Sequence, residues 1–357
     1  MKRTRNIMVA VAMAATLSLA ACGSDDGAGD GGSSEGKIGV ILPDTKSSVR
    51  WESADRPALE AAFEDADVEY TIQNAEGDAE KMATIADGMI ADGVTVLAIV
   101  NLDSDSGAAI QEKAAAQGVK TIDYDRLTLG GSADYYVSFD NTVVGELQGE
   151  GLAQCLGDTP ANVIYLNGSP TDNNATLFSA GAHSKLDPIA AYTQVGEQAV
   201  PDWDNEQAVT IFEQLYTQAG GDVQGVYAAN DGLAGSVISI LEKNGQAGQV
   251  PVTGQDATVE GLQNILAGTQ CMTVYKSAKL EAGALADTAI ALVKGEDAET
   301  TGTTEDATGD RDVPSVLLTP ESITKDNVKS VVDDGGVKAE DVCTGDFAAL
   351  CEAAGIS

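Results

Sequence analysis

The sequence predicts an α/β protein of two doubly wound lobes, each built on a parallel sheet. Three observations lead there. From residue 37 onward, short apolar runs with strand character alternate with stretches of helical spacing. Several runs are continuously apolar, as strands covered on both faces are. The rhythm pauses near Phe139-Asp140-Asn141 and then resumes, which divides the chain into two halves of ordinary domain size. The halves show no close sequence repeat, so their expected likeness is architectural.

Taken in order, Lys37-Ile-Gly-Val-Ile-Leu42 opens the first half as a strand. Residues 51–65 carry helical spacing through Leu59, Ala62 and Phe63, and residues 68–73 form the next strand. Residues 81–91 are helical, with Met82, Ile85, Met89 and Ile90 on one side. Residues 94–100 are a continuous apolar strand, 108–117 a helix that stops at Gly118, and 119–123 a strand. In the second half, helices are predicted over 144–156, 175–186, 205–219, 233–243 and 259–266, and strands over 162–166, 225–228 and 250–254. Residues 297–310 are polar, lack large apolar side chains and read as a surface loop.

The N-terminus is of another kind. Met1-Lys2-Arg3-Thr4-Arg5 is basic, residues 7–19 are apolar, and Leu19-Ala20-Ala21-Cys22 is similar to a bacterial lipobox. The apolar stretch falls short of the roughly 20 residues that span a bilayer. Residues 1–21 are therefore expected to be a lipoprotein signal peptide, with the Cys22 thiol accepting the lipid. Residues 22–36 are mostly Gly, Ser and Asp and cannot bury enough surface to fold, so they read as a flexible tether. No later segment is apolar enough to cross a membrane. The folded part is expected on the extracytoplasmic face of the cell membrane, held through Cys22.

The formal charge is −36, and near −39 once Lys2, Arg3 and Arg5 leave with the leader. Such a charge opposes nucleic-acid binding, which needs basic residues to neutralise phosphates. It suits a soluble monomer. Four cysteines remain, with three possible connectivities. Cys343 and Cys351 share one short segment and are the favoured disulfide, whereas Cys155 and Cys271 either pair or stay as buried thiols. No CxxC or Cys/His spacing marks a metal site, and no cofactor is expected. The single histidine, His183, falls inside a predicted helix and reads as packed or solvated.

In open α/β sheets, ligands collect at the carboxyl ends of the strands. The residues there are Arg50 and Trp51, Asp125 and Arg126, Asp172 to Asn174, Asn230 and Asp231, Asp256, and Lys276, with Trp203 at a turn before a helix. Carboxylates, amides, a guanidinium and an ammonium together can pair with several hydroxyls. An indole can cover the C–H face of a sugar ring. Both tryptophans of the chain fall in this set. Mixed acids and bases fit an uncharged polyol better than a charged ligand. Any single Asp or Asn after a strand is equally explained as a helix cap, Asp172 and Asp231 above all. The reading rests on several strand ends agreeing.

These residues sit in segments that resemble the bacterial D-xylose-binding proteins. The segments include Arg50-Trp51, Tyr124-Asp125-Arg126, Tyr135-Tyr-Val-Ser-Phe-Asp-Asn141, Gly168-Ser-Pro-Thr-Asp-Asn-Asn-Ala175 and Gly254-Gln-Asp-Ala257. Met272-Thr-Val-Tyr-Lys276 and Asp312-Val-Pro-Ser-Val-Leu-Leu-Thr-Pro320 complete the match, which runs from about residue 37 to 331. The resemblance implies a class I periplasmic-binding-protein fold, with two lobes joined by a three-segment hinge near Asp140-Asn141, Lys276-Ser277 and Pro314. Residues 37–140 and 277–313 would then form the N-terminal lobe, and 141–276 and 314–357 the C-terminal lobe. It also implies that Arg50, Asp125, Arg126, Asp172, Asn174, Asn230, Asp256 and Lys276 hydrogen-bond the sugar, with Trp51 and Trp203 stacking on it.

The resemblance and the export signal together imply a solute-binding lipoprotein that delivers a monosaccharide to the permease subunits of an ABC importer. D-xylose leads, with glucose, arabinose and ribose behind, and a role as a sugar sensor for a membrane receptor stays open. An enzyme is not expected, because no nucleophile–base motif, zinc pattern or phosphate loop is present. A repressor would need a basic helix-turn-helix where this chain carries its export signal.

Overall fold

The computed structural model describes residues 36–356, which fall in one compact unit. The leader, Cys22 and the expected tether up to residue 35 lie outside the described residues. The first stretch runs β1 (Lys37–Leu42), α1 (Arg56–Asp65), β2 (Glu69–Asn74), α2 (Ala79–Ala91), β3 (Val96–Ile99), α3 (Ser104–Ala116), β4 (Lys120–Tyr124) and β5 (Tyr135–Phe139). The second runs α4 (Asn141–Leu156), β6 (Ala161–Asn167), α5 (Asn173–Leu186), β7 (Tyr192–Ala199), α6 (Asn205–Gln218), β8 (Gly225–Ala228), α7 (Asp231–Lys243), α8 (Val259–Ala267) and β9 (Thr273–Tyr275). The remainder is α9 (Ala278–Val293), β10 (Gly302–Asp306), β11 (Arg311–Leu318), β12 (Glu321–Ile323), α10 (Val328–Asp334), α11 (Ala339–Val342) and α12 (Ala348–Ala353).

The larger sheet has the order β10-β11-β5-β4-β3-β1-β2 and is parallel except at the β10–β11 edge. The smaller sheet, β7-β6-β8, is wholly parallel. A short antiparallel pair, β9 with β12, lies in a third sheet. Helices cover both faces of the larger sheet. One face packs Leu59, Phe63, Leu285 and Ala289 of α1 and α9 on Val40, Val96 and Ile122. The other packs Met82, Met89 and Ile110 of α2 and α3 on Ile41, Leu97 and Ile99. A separate core surrounds the smaller sheet, with Phe178, Phe212, Leu233 and Val237 against Val163, Leu166 and Val226. Near-continuous burial along β1, β3 and β8 is why those strands read as apolar runs.

Each helix from α2 to α9 begins at a side-chain cap, provided in turn by Asp78, Asp103, Asp140, Asp172, Asp204, Asn230, Thr258 and Ser277. Part of the chain's acidity therefore serves helix starts. At α7 the cap is Asn230, whose Oδ1 accepts from the Leu233 N–H, and not the expected Asp231. Asp231 is buried instead and accepts from Thr258, Gln270 and Thr273. Where α4 crosses α5, a Cβ on Gly145 or Gly181 would run into the facing backbone, so these glycines permit the close approach.

Four expectations are corrected. Residues 250–254 are not a strand, because Pro251 has no N–H to donate and only Val252 bridges to Val226. The helix over 51–65 is two pieces, a π-helical turn Trp51–Asp55 and then α1, since Pro57 cannot donate to the turn behind it. The polar stretch 297–310 contains β10, an exposed edge strand paired with β11. Pro314 sits inside β11, opposite Thr303, and the chain leaves the larger sheet after Leu318. Cys155 and Cys271 form a disulfide, as do Cys343 and Cys351, with Cα separations of 6.6 and 5.7 Å.

Candidate functional site

The carboxyl ends of β1, β4, β6 and β8 and the end of β9 converge on one set of polar side chains. Arg50 opens the π-helical turn after β1 and is buried. Its guanidinium grips Asp55 through Nε (2.8 Å) and Nη2 (2.7 Å), donates also to Glu281 of α9, and reaches Asp125 at 3.3 Å. Burial opposes the charged guanidinium, but Asp55, Glu281 and Asp125 outweigh it and raise its pKa. The same guanidinium lies 4.6 Å from the centre of the Trp51 ring. Trp51 is itself fixed by its Nε1–H donating to Ser47 Oγ at 3.1 Å.

Asp125 follows β4 at φ +61°, a left-handed conformation that the surrounding contacts hold in place. Its backbone carbonyl accepts from Tyr136, Ser138 and Asn174, and its carboxylate accepts from Asn174 Nδ2 at 3.1 Å. Lys276 Nζ stands 3.5 Å from the same carboxylate and 4.0 Å from that of Asp256. Burial pushes the Asp125 pKa up, yet Lys276, Arg50 and Arg126 bring it below the ordinary value. Arg126 donates from Nη1 to the Asn101 carbonyl (3.1 Å), and its Nε lies 3.0 Å from Asp172, an ion pair without hydrogen-bond alignment.

The second sheet supplies the opposite wall. Asp172 caps α5 and also accepts from Trp203 Nε1 at 3.1 Å, so one carboxylate serves a helix, an arginine and an indole. Trp203 sits at φ +55°, and a Cβ on Gly168 would collide with its ring. Asn174 is held by Asn141 (2.9 Å). Asn230 Nδ2 donates to the Ser47 carbonyl at 3.3 Å, and Ser48 Oγ donates to Asp256 at 3.1 Å.

All ten sequence-predicted residues, Arg50, Trp51, Asp125, Arg126, Asp172, Asn174, Trp203, Asn230, Asp256 and Lys276, therefore belong to one connected cluster. Asp256 is half-buried and the rest are buried. Participants not foreseen include Ser47, Ser48, Asp55, Asn101 and Glu281. Asp55 and Glu281 lie within helices, away from strand ends, and nothing in the local sequence distinguishes them from surface acids. Burial raises the Glu281 pKa to about 8, with Arg50 pulling down and Asp125 pushing up. The cluster gathers five carboxyl groups around three cations, a balance that disfavours an anionic ligand. Among the described residues, no group of His, Cys, Asp and Glu is arranged to hold a metal ion. No helix there is long and apolar enough to cross a membrane.

Comparison with known proteins points the same way. A family described as periplasmic binding protein domain matches residues 38–297. The D-xylose-binding periplasmic protein of Escherichia coli K12 is 36% identical, covering 84% of this chain and 91% of its own length. A multiple sugar-binding periplasmic receptor of Rhizobium radiobacter is 33% identical over 85% of this chain and 90% of its own. A carbohydrate transporter solute-binding protein of Chloroflexus aurantiacus, solved with D-glucose, superposes with a TM-score of 0.79 at 29% identity, covering 85% and 97% of the two chains. A family match over most of the chain, relatives of matching length and a fold that superposes on a solved solute-binding protein agree, and the chain belongs to the periplasmic binding protein family.

Proposed function

We propose that this protein is a binding protein, not an enzyme, that captures a monosaccharide between two closing lobes and hands it to the permease of an ABC-type importer. D-xylose is the favoured ligand. The larger sheet with α1–α3 and α9 forms one lobe, and the smaller sheet with α4–α8 forms the other. The hinge segments lie near residues 139–141, 276–277 and 318–321. Lipid on Cys22 keeps the protein at the extracytoplasmic face of the membrane, beside its permease.

The observation that carries the reading is the cluster that spans both sheets. Arg50, Trp51, Asp125 and Arg126 come from one lobe, and Asp172, Asn174, Trp203, Asn230, Asp256 and Lys276 from the other. Direct pairs across the divide, such as Arg126–Asp172 and Lys276–Asp125, support it, since they bring the two walls within reach of one small ligand. A sugar between them takes bonds worth roughly 1 kcal/mol each when neutral, and more with a charged partner. Several of these plus ring burial reach about −8 kcal/mol, the micromolar range. An epimer with an inverted hydroxyl would leave a buried partner unpaired.

Titration calorimetry tests the proposal. Micromolar or tighter binding of D-xylose, with weaker heats for ribose and arabinose, is the expected result. No heat with xylose, ribose, arabinose or glucose overturns it. Glucose binding as tight as xylose would instead favour a broader aldose carrier, the reading to which the multiple sugar-binding relative lends weight.

A further inference from the structure

We propose that the cleft beside Asn230 and Asp256 is a subsite for a second sugar unit, so that the protein also takes a β-linked pentose disaccharide such as xylobiose. The inference rests on the sugar reading above and extends it outward from the same cluster.

Three clefts meet the cluster; the smallest, of about 370 Å³, reaches it at the Arg126–Asp172 ion pair, and the two larger ones differ in chemistry. One, of about 600 Å³, has a mainly apolar wall of Ala54, Pro57, Ala58, Ala61 and Val337, with Arg50, Tyr275 and Lys276 among its polar residues. The other, of about 670 Å³, presents Lys46, Asn205, Glu260, Asn264 and the ring of Phe347. Amides and charges around one aromatic face repeat, on the outside, the kind of surface that the cluster has inside. The volume lies in the range of small-molecule sites. Val49 lines the same cleft and is 65% exposed, an unusual state for a valine.

The cleft is also connected to the cluster. Ser47, Ser48, Asn230 and Asp256 line it, and only two hydrogen bonds close the seam between them. Both donors there, Ser48 Oγ and Asn230 Nδ2, are uncharged. Elsewhere the cluster is closed by ion pairs, Arg126 with Asp172 and Lys276 with Asp125. A glycosidic link leaving the central ring meets least resistance at this seam, because it displaces two neutral donors and separates no charges.

The aromatic floor is built for its place. Phe347 lies inside the short loop closed by the Cys343–Cys351 disulfide. That loop is pinned to α8 by Gln263 Nε2 donating to the Val342 carbonyl at 2.9 Å, and by Val342, Cys351 and Ile356 packing on Leu262, Ile265 and Leu266. The disulfide thus holds a half-exposed ring that a free C-terminal segment would leave mobile.

The experiment titrates xylose and xylobiose into the oxidised protein and into Phe347→Ala. Xylobiose is expected to bind within about tenfold of xylose, and Phe347→Ala to weaken xylobiose by about tenfold while xylose stays within about twofold. Cys343→Ser combined with Cys351→Ser should act in the same direction, which keeps the test independent of one substitution. Xylose binding with xylobiose more than about a hundredfold weaker overturns the subsite alone. So does a Phe347→Ala protein that binds both sugars unchanged or loses both alike. Absence of binding by xylose and every other monosaccharide overturns the subsite together with the function on which it rests.

Discussion

The two regions that meet at the cluster hold their site residues by different means. Around the larger sheet the means is charge. Arg50 is locked by Asp55, Glu281 and Asp125. Around the smaller sheet, Asp172 and Lys276 pair with charges of the facing wall, but the supports behind the site residues are covalent and neutral. Cys155–Cys271 ties α4 to the approach of β9, Cys343–Cys351 closes the C-terminal loop, and Asn230, Asp231 and Gln148 bond to backbone, amides and hydroxyls. The one cluster therefore has two separable sensitivities. Loss of a counter-ion falls hardest on the wall around Arg50, and reductant acts on the wall braced by the disulfides.

The largest effect that could break this contrast is loss of the Cys155–Cys271 bond. It closes a loop of 116 residues, and chain entropy assigns such a loop about 5 kcal/mol, against about 2.5 kcal/mol for the short Cys343–Cys351 loop. Denaturant unfolding of Cys155→Ser/Cys271→Ser should therefore show roughly twice the loss seen for Cys343→Ser/Cys351→Ser. Equal losses would mean that the long loop is already constrained in the unfolded chain.

Next comes Arg50→Ala. It strands Asp55 in a buried site and removes the main counter-charge of Glu281, at a cost of about 3–5 kcal/mol of stability. Lys276→Met, on the other wall, removes longer ion pairs of 3.5 and 4.0 Å and a contact with the Phe178 ring, and should cost well under half as much. Both variants should lose sugar affinity, so calorimetry alone would not separate them, whereas urea melts would. Similar melts for the two would break the comparison.

The smallest effect is a slope. Glu281 has a folded pKa of about 8, above its ordinary value of 4.5. Between those limits the folded state binds the extra proton, so stability is greatest below pH 4.5 on this account and falls as pH rises toward 8. Asp123 and Asp231, both pushed to about 7 by burial, contribute in the same sense. Asp125 acts in the opposite direction, since its lowered pKa makes its contribution vanish only on strong acidification. Glu281→Gln should flatten the limb between about pH 5 and 8 without abolishing it, as read from melting temperature against pH. An unchanged limb would assign it wholly to the two aspartates.

Much of this architecture is legible in the chain itself. Strands β1 and β8 fall at their expected places because both faces are buried and apolar residues fill them. Strand β7 escapes such a reading, because it is a half-exposed edge strand with no apolar run to announce it. Most of the cluster is legible because strand ends in a parallel sheet point to one rim, whereas Trp203 lies in a turn before a helix and Lys276 follows the antiparallel β9. The supports of the cluster are not. Asp55 and Glu281 are ordinary helix acids until Arg50 arrives from another part of the chain.

By itself, the sequence determined the alternation of strands and helices, the rim residues and the family likeness, since each is written in local spacing or local motif. Only the tertiary structure decided which acid grips Arg50, that Cys155 meets Cys271, and that β11 carries the larger sheet on to Leu318. Such choices depend on which groups share a buried volume. Burial turns a distant carboxylate into a partner, and residues far apart in the chain become neighbours only when the sheets pack.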